Sequence, residues 1–256
     1  MKIILTLLLS LIASISAYAD NHSTETLHYK VIYRWGLVNK QTGRATFVLK
    51  NVSPEKSRAV MFARTEPWAD KFFRVRDTLI SVFDTETRLP SVYNRIAHEG
   101  GRYAKDIVSF TKSGNTTSAI CRRTRLGKKA TVPTISESSL SAEGDAVDLL
   151  SSFYYLRHMD FKSLNAGHTK QIYIFSGKKK EILKITYHGI ENIKIDSRTE
   201  PTYKVTFTFT SDQGKTTSKP IKAWISTAPG QIPLKIEGEL KIGKVQCLIN
   251  RQSEHN

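Results

Sequence analysis

Cysteine is scarce in this sequence of 256 residues, which contains only Cys121 and Cys247. Neither has histidine or carboxylate neighbours at the spacing of a metal site, so the sequence predicts no metal site. An oxidising compartment would permit a disulfide between the two cysteines. Two thiols so far apart in the sequence can equally be separate buried residues, and both alternatives stay open.

Long hydrophobic runs are lacking beyond the N-terminus. There, Lys2, an apolar run from Ile3 to Ile15 and the sequence Ala17-Tyr18-Ala19 form the pattern of a cleaved secretory signal peptide. No other segment approaches the roughly 20 apolar residues of a membrane-spanning helix, and no Pro-rich linker divides the rest. We therefore expect residues 1–19 to be removed and residues 20–256 to form a single β-rich domain. The mature protein should be exported, without a transmembrane segment.

Acidic side chains are outnumbered by basic ones, with 39 Lys and Arg residues against 23 Asp and Glu residues and a net charge of +16. Loss of residues 1–19 removes one lysine and no acid, so the mature chain carries +15. Strong positive charge is typical of nucleic-acid-binding proteins, but export excludes that partner. The remaining candidates are envelope polyanions such as lipid headgroups and acidic glycans. The alternative is a solvated basic surface without a partner.

The motifs of common hydrolases are missing. No Gly-x-Ser-x-Gly sequence marks a serine hydrolase, and His98-Glu99 lacks the second histidine of a zinc-protease helix. Two carboxylates brought together by folding could cleave glycans, and four residues are candidates for that chemistry: Asp77, Asp84, Glu86 and Glu99. Turn formation or surface pairing is the favoured role for each, so the sequence predicts no catalytic residue and no cofactor.

Alternation of apolar and polar residues is abundant. Residues Leu27 to Trp35 alternate between an apolar and a mostly basic face, and Tyr203 to Thr210 show the cleanest such pattern. A period of two residues is typical of strands with one buried face. Many short runs of this kind predict a mainly β fold, in which a curved antiparallel sheet forms a barrel, half-barrel or sandwich. Trp35, on the apolar face of the first strand, is expected in the core.

One segment has helical spacing instead. Asp145 is a good N-cap, and apolar residues follow it on one helical face, namely Val147, Leu150, Phe153 and Tyr154. The sequence therefore predicts one central α-helix, from about Asp145 to Met159, with an apolar face wide enough for burial. The preceding stretch from Thr131 to Gly144 is rich in serine and lacks apolar runs, which predicts a loop.

The strongest local signal for a ligand is a basic cluster from Arg122 to Lys129. Strand alternation places Arg123 and Arg125 on one face and Arg122 on the other. Guanidinium groups fit phosphate and carboxylate groups, so these three arginines are candidate anion-binding residues. The alternative is a solvated hairpin whose basic residues protect a sheet edge.

Aromatic residues with basic neighbours supply the other candidate ligand-binding residues, which are Arg34, Trp68, Arg74 and Trp224. Aromatic faces can stack on sugar rings or pack against acyl chains while an arginine holds an anionic group. Large aromatics are nevertheless core residues first. Trp68 lies at a predicted corner, and Trp224 could face solvent or a cavity.

Several short sequences occur in a distinctive order and spacing. They include Tyr33-Arg34-Trp35-Gly36, residues 72–77, residues 148–157 and Ala223-Trp224-Ile225-Ser226. In this order they resemble the bacterial envelope family called domain of unknown function 3108, over nearly the whole mature chain. The resemblance implies an exported, β-rich protein of the periplasm or outer membrane. It supplies no catalytic residues, because the family has no settled activity.

Export, fold class and charge together predict a non-enzymatic binding protein for an anionic amphiphile or acidic glycan, with peripheral membrane association possible. One alternative is an envelope glycan hydrolase with carboxylates about 5 to 10 Å apart. The other is an assembly or structural partner of another envelope protein, which an exposed long edge strand would favour. An enclosed apolar cavity would favour a lipid ligand, and a shallow aromatic and polar cleft would favour a glycan.

Overall fold

The computed structural model describes residues 24–211, 214–216 and 219–251. The predicted signal peptide, residues 1–19, lies outside the described residues. Within them, no helix combines the length and the apolar character needed to cross a membrane.

Strands dominate the described part of the chain. They are β1 (Thr24–Trp35), β2 (Val38–Asn51), β3 (Lys56–Thr65), β4 (Val75–Asp84), β5 (Pro90–Glu99), β6 (Arg102–Ser113), β7 (Thr116–Leu126), β8 (Thr134–Glu143), β9 (Ala146–Val147), β10 (Thr169–Ser176), β11 (Lys179–Ile195), β12 (Arg198–Ser211), β13 (Ile221–Ser226), β14 (Pro233–Glu239) and β15 (Lys244–Ile249). Two short α-helices, α1 (Pro67–Asp70) and α2 (Ser151–Arg157), and a 3-10 turn (Phe161–Ser163) complete the described elements.

All fifteen strands belong to one sheet, in the order β8-β7-β6-β5-β4-β3-β2-β1-β15-β14-β13-β12-β11-β10-β9. Neighbours are antiparallel except β9 and β10, which are parallel. The sheet curves into a nearly closed barrel shape. The predicted mainly β fold with a curved antiparallel sheet is therefore confirmed.

Antiparallel pairing sends successive connections to alternate ends of the barrel. We call the end that carries the β1–β2 turn the distal end. It also carries the connections that follow β3, β5, β7, β10, β12 and β14. The other end, which we call the helix end, carries the connections after β2, β4, β6, β8, β11 and β13, together with α2.

Helix α2 packs against the inner face of the sheet. Tyr154 and Leu156 are buried. The Tyr154 ring lies 5.3 Å from that of Phe83 on β4, and the Phe153 ring stacks 4.5 Å from that of Phe47 on β2. The amphipathic strands thus bury their apolar faces around a helix near one end of the barrel.

The central helix is shorter than predicted. It begins at Ser151 rather than Asp145, because Ala146 and Val147 pair with β10 as β9. The Asp148 carboxylate then starts the helix by accepting hydrogen bonds from the backbone N–H groups of Leu150 (2.7 Å) and Ser151 (2.8 Å).

The predicted loop from Thr131 to Gly144 is wrong over most of its length, because Thr134–Glu143 forms β8. This strand pairs with β7 along ten residues and lies at an edge of the sheet. Most of its side chains are exposed, so the strand needs no apolar alternation. Backbone pairing holds a polar segment that the residue pattern could not identify.

Candidate functional site

The helix end of the barrel is sealed by polar contacts. The Arg157 guanidinium donates two hydrogen bonds of 2.7 Å to the Glu25 carboxylate and one of 3.0 Å to the Gly230 carbonyl. The Gln231 side chain donates to the carbonyls of Arg157 (2.6 Å) and Met159 (3.0 Å). These bonds satisfy carbonyls at the end of α2 and fix the helix across this end.

An apolar cavity of about 150 Å³ lies between α2 and the inner face of β11 to β14. Ser152 is the one polar residue in its lining, and the apolar lining includes Phe153, Leu156, Leu183, Ile185, Phe207 and Ile221. Apolar cavities of this size stay dry and accept small apolar groups. The site can therefore take an apolar ligand segment but offers almost no hydrogen bonds to a sugar.

The cavity extends toward the distal end. Leu183 and Ile185 are buried, whereas Phe207, Ile221 and Ile236 are only partly buried. Ile221 is the first residue of β13 and lies at its distal end, and Ile236 pairs close to it on β14. Helix α2 thus forms one side of the cavity. The more exposed lining residues of the cavity face away from the helix end.

A charged cluster faces inward on β4 to β7, about half the circumference away from the cavity lining. Asp106 is buried on the face that also carries Val108. Its carboxylate accepts hydrogen bonds from Arg123 Nε (2.8 Å) and from Arg125 (2.6 and 2.8 Å), and Arg95 lies 4.0 Å away. Arg123 and Arg125 therefore share one face, as strand alternation placed them, and both contact a carboxylate of the chain.

Arg95 links this pair to two further carboxylates. Its guanidinium lies 2.6 Å from Glu99 and 3.6 Å from Asp77. Burial, together with the neighbouring Glu99 carboxylate, raises the pKa of Asp77 to about 6. The inner cluster of Asp77, Arg95, Glu99, Asp106, Arg123 and Arg125 thus holds three cationic and three acidic groups, and protonation of Asp77 leaves it with one excess positive charge.

The acidic candidates lie in ion pairs or in a turn. Asp77 and Glu99 both contact the Arg95 guanidinium, at 3.6 and 2.6 Å. Asp84 accepts hydrogen bonds from the N–H groups of Glu86 (3.1 Å) and Thr87 (2.8 Å), and so stabilises the β4–β5 turn. Turn formation and ion pairing account for these four acidic candidates.

Three of the candidate binding residues lie at the distal end. Arg34 is exposed near the end of β1, 3.4 Å from Gln246 Oε1. Trp68 on α1 donates a 3.1 Å hydrogen bond to the Gln41 carbonyl, and Lys40 Nζ lies 3.8 Å from its ring centroid. Arg74 is exposed just before β4.

The other two candidates lie on the outer face of the barrel. Arg122 is exposed opposite Glu137 of β8. Trp224 is buried and donates a 2.8 Å hydrogen bond to Glu191, with Lys235 Nζ 4.2 Å from its ring centroid. These two residues therefore do not join the cavity or the inner cluster.

Both cysteines are free thiols, so the structure does not contain the disulfide considered from the sequence. Cys121 lies on β7 and Cys247 on β15. Burial raises the pKa of Cys121 and raises that of Cys247 to about 11, which keeps both thiols protonated and unreactive near neutral pH. Among the described residues, no group of His, Cys, Asp and Glu side chains could hold a metal ion.

An apolar cavity or groove beside the helix was expected, but its lining residues were not identified from the sequence, although Phe207 belongs to the strand with the clearest alternation. Alternation shows that a side chain faces inward but not that space remains beside it. The expected core position of Trp35 is wrong: its side chain is 58% exposed, because β1 continues beyond the packed part of the barrel to the distal end.

Comparison with solved structures places the fold. A crystal structure of a β-barrel-like protein of the domain of unknown function DUF1849 from Brucella abortus matches with a TM-score of 0.56 and 9% identity, over 90% of this chain and 96% of that chain. The Mycobacterium tuberculosis lipoprotein LppX aligns over 96% of this chain and 94% of its own, with 14% identity and a TM-score of 0.26. The first match shows a shared fold, and the second score is too low to do so.

Comparison with known sequences gives the family. No curated protein matches the chain. A family model described as a protein of unknown function, DUF3108, matches residues 28–249, which is most of the chain, and this agrees with the resemblance carried by the short sequences. The chain belongs to the DUF3108 family.

Proposed function

We propose that this protein is a non-enzymatic binding protein of the bacterial envelope that holds the apolar part of an anionic amphiphile. The apolar cavity between α2 and β11 to β14 carries the proposal. Its lining favours hydrocarbon over sugar, because a sugar hydroxyl buried there would lose its hydrogen bonds to water without replacement.

The size of the cavity limits what enters it. About 150 Å³ is less than the roughly 300 to 1,000 Å³ of pockets that enclose a whole drug-sized ligand. The site therefore takes the end of an acyl chain, and the rest of the ligand extends toward the distal end. This arrangement suits an amphiphile whose polar group stays accessible to water.

The polar group is expected to be anionic, because basic residues dominate the distal end. Arg125 of the inner cluster is one third exposed, and Arg34 and Arg74 are exposed nearby. Asp106 neutralises much of the charge of Arg123 and Arg125, so headgroup selectivity should be modest. Export of the protein, indicated by the pattern in residues 1–19, would bring it to the lipids of the envelope.

Displacement of a dansylated fatty acid from the purified mature protein tests the proposal. Lysophosphatidylglycerol should displace the probe at lower concentrations than lysophosphatidylcholine. Ile221→Trp, which fills the cavity, should weaken probe binding by at least about tenfold, since a filled cavity excludes the chain. Ile120→Trp, on the exposed outer face of β7, is the matched control and should bind as wild type does.

One result of this experiment would contradict the proposal. Equal probe binding by the Ile221→Trp and Ile120→Trp proteins would exclude the cavity as the site. A melting curve for each variant shows whether the fold is kept. If Ile221→Trp does not fold, Ile236→Phe makes the same test with a smaller added volume.

The edge strand β8 supports assembly with another envelope protein as a second candidate function. Its first four residues, Thr134–Glu137, are exposed along a sheet edge of ten residues. Such an edge can accept a strand from a partner. A photo-crosslinking residue that replaces Ser136 should give one discrete protein adduct in cells. The same residue in place of Thr26, which is exposed on β1, should give none. Identical adduct patterns from the two positions would count against this function.

A further inference from the structure

Exposed apolar side chains are concentrated at the distal end. The described part of the chain has fourteen large apolar side chains that are exposed. Eight of them lie in or beside distal connections: Trp35, Leu37, Val38, Phe72, Phe73, Val132, Leu240 and Ile242. A cluster of exposed apolar side chains on a protein surface marks an interaction site.

These side chains lie on adjoining connections. Tyr33 donates a 3.1 Å hydrogen bond to the carbonyl of Ile242, which joins the β1–β2 turn to the β14–β15 turn. The ring of Phe72 lies 6.3 Å from that of Trp68, whose indole N–H donates a hydrogen bond to a backbone carbonyl of β2. Phe73 packs beside Gly100 of the β5–β6 turn. The apolar tips therefore form a continuous rim along this part of the barrel end.

The same connections are strongly basic. Their described residues include eight basic side chains, Lys71, Arg74, Lys128, Lys129, Lys178, Lys215, Lys219 and Lys241. They include two acidic ones. Glu66 pairs with Arg44 at 2.9 Å and Asp70 with Arg76 at 2.6 Å, so the charge of both acids is compensated by strand residues. Of the basic residues, Lys219 pairs with Glu239 of β14 at 3.2 Å. The rim thus combines apolar tips with an excess of positive charge.

We propose that the distal end docks on the surface of an anionic lipid bilayer. Leu37 and Ile242 would enter the boundary between headgroups and acyl chains, Trp35 would lie at headgroup level, and the lysines would contact lipid phosphates. This combination of aromatic, aliphatic and basic residues is typical of proteins that bind at the membrane interface. Lysine is depleted in interfaces between proteins, so its abundance favours a lipid surface over a protein partner.

This docking surface extends beyond the proposed amphiphile binding and does not depend on it. The docking surface and the cavity face the same end of the barrel, because the more exposed lining of the cavity also faces the distal end. A docked barrel would thus direct that lining toward the bilayer. Loss of the cavity would leave docking intact, and loss of the rim would leave binding of a dispersed lysolipid intact.

Co-sedimentation of the mature protein with lipid vesicles tests the proposal. The protein should bind vesicles that contain phosphatidylglycerol, bind pure phosphatidylcholine vesicles much less, and dissociate as salt is raised. The double variant Leu37→Asp/Ile242→Asp should lose at least about tenfold in vesicle affinity, because it removes two apolar contacts and adds two negative charges. Leu37 is fully exposed and Ile242 is 61% exposed, so folding should be unaffected.

A matched control carries the same changes at the helix end. Val52 and Ile190 are also exposed apolar residues, and Val52→Asp/Ile190→Asp adds the same charge. This variant should lose no more than a small part of the affinity. Equal losses in both double variants would show that net charge alone acts and would overturn the proposal. A second result would also overturn the proposal. Wild type would bind no vesicles and would form a dimer in light scattering, and Leu37→Asp/Ile242→Asp would dissociate that dimer. The rim would then be the contact between two copies of the chain.

Discussion

The two ends of the barrel differ in charge and in exposed surface. Described connections at the helix end contain six acidic residues, Glu55, Glu86, Asp145, Asp148, Asp160 and Asp196, and three basic ones, Arg88, Arg157 and Lys162. Distal connections reverse that balance, with eight basic and two acidic residues. The chain therefore has a strong charge asymmetry along the barrel axis, which its net charge alone does not reveal.

The ends also differ in how they use their polar groups. At the helix end, Arg157 joins α2 to Glu25 and Gly230, Gln231 donates to carbonyls at the end of the helix, and Asp148 accepts from N–H groups at its start, so polar contacts hold this end together. At the distal end, apolar side chains are exposed, and lysines lie on the same set of connections. This difference supports the proposal that the helix end serves mainly stability and the distal end mainly recognition.

The largest expected effect is on stability at the helix end. Arg157→Ala leaves Glu25 without its bidentate partner and removes a side chain that is only 9% exposed. Truncation of one member of such a pair costs about 3 to 5 kcal/mol. Urea unfolding should show this loss as a lower midpoint with an unchanged slope.

The matched variant at the distal end is Arg44→Ala, which removes the partner of Glu66. The Arg44 side chain is 57% exposed, and exposed ion pairs contribute about 0 to 1 kcal/mol. Comparable losses in the two variants would contradict the assignment of stability to the helix end.

The next effect is pH-dependent and also belongs to the helix end. Asp148 is fully buried, and burial raises its pKa to about 6 although Ser81, Leu150 and Ser151 donate hydrogen bonds to it. A carboxyl whose pKa is higher in the folded state stabilises the fold below its unfolded pKa of about 3.9, and this contribution is lost as pH rises through 6.

Asp148→Asn should remove that pH dependence. The amide oxygen can still accept from the two backbone N–H groups, and Ser81 can accept from the amide nitrogen. The free energy of unfolding of wild type, relative to the variant, should fall by about 2 to 3 kcal/mol between pH 3.5 and 7. Parallel stability profiles for the two proteins would disprove a raised pKa at Asp148.

A third comparison uses glycines in turns at the two ends. Gly243 has a φ of 71°, and a Cβ there would press against the Arg34 carbonyl and the Trp35 side chain. Gly114 has a φ of 55° at the helix end, with open space around it. Gly243→Ala should cost about 2 kcal/mol and Gly114→Ala about 1 kcal/mol, by thermal unfolding.

Gly243→Ala should also weaken vesicle binding, because it displaces the turn that presents Ile242. Gly114→Ala should leave vesicle binding unchanged. A variant at Gly243 that is destabilised but binds vesicles normally would separate the turn from the docking surface.

Much of this fold could be predicted from residue patterns, and the failures have physical causes. Alternation identified the amphipathic strands because each has one face in water and one in the core. It missed β8, whose two faces are both largely polar or exposed. Helical spacing, for its part, predicted a helix that included the residues of β9. Pairing with a distant strand decides the structure of those segments, and a local pattern contains no information on such partners.

The candidate site was less predictable than the fold. Strand alternation placed Arg123 and Arg125 together, but their buried partner Asp106 was not foreseen because it is distant in sequence. The cavity lies between Leu156 of α2 and strands distant in sequence, and a local pattern does not show how these pack together. The rim was missed because Leu37 and Ile242 are single apolar residues in separate turns, and only the sheet order brings those turns together.

The smallest expected effect concerns ligand binding at the distal end. The pKa of Asp77 is raised to about 6, so acidification from pH 7 to pH 5 protonates it and leaves the inner cluster with one excess positive charge. Affinity for lysophosphatidylglycerol should therefore rise about threefold over this range, because an added charge near a solvent-screened site contributes less than about 1 kcal/mol. Asp77→Asn should bind with the higher affinity at both pH values. Asp148→Asn, at the other end, should keep the wild-type pH dependence. If Asp77→Asn also kept the wild-type pH dependence, the headgroup would lie away from the inner cluster. The exposed residues Arg34 and Arg74 would then contact the anionic headgroup.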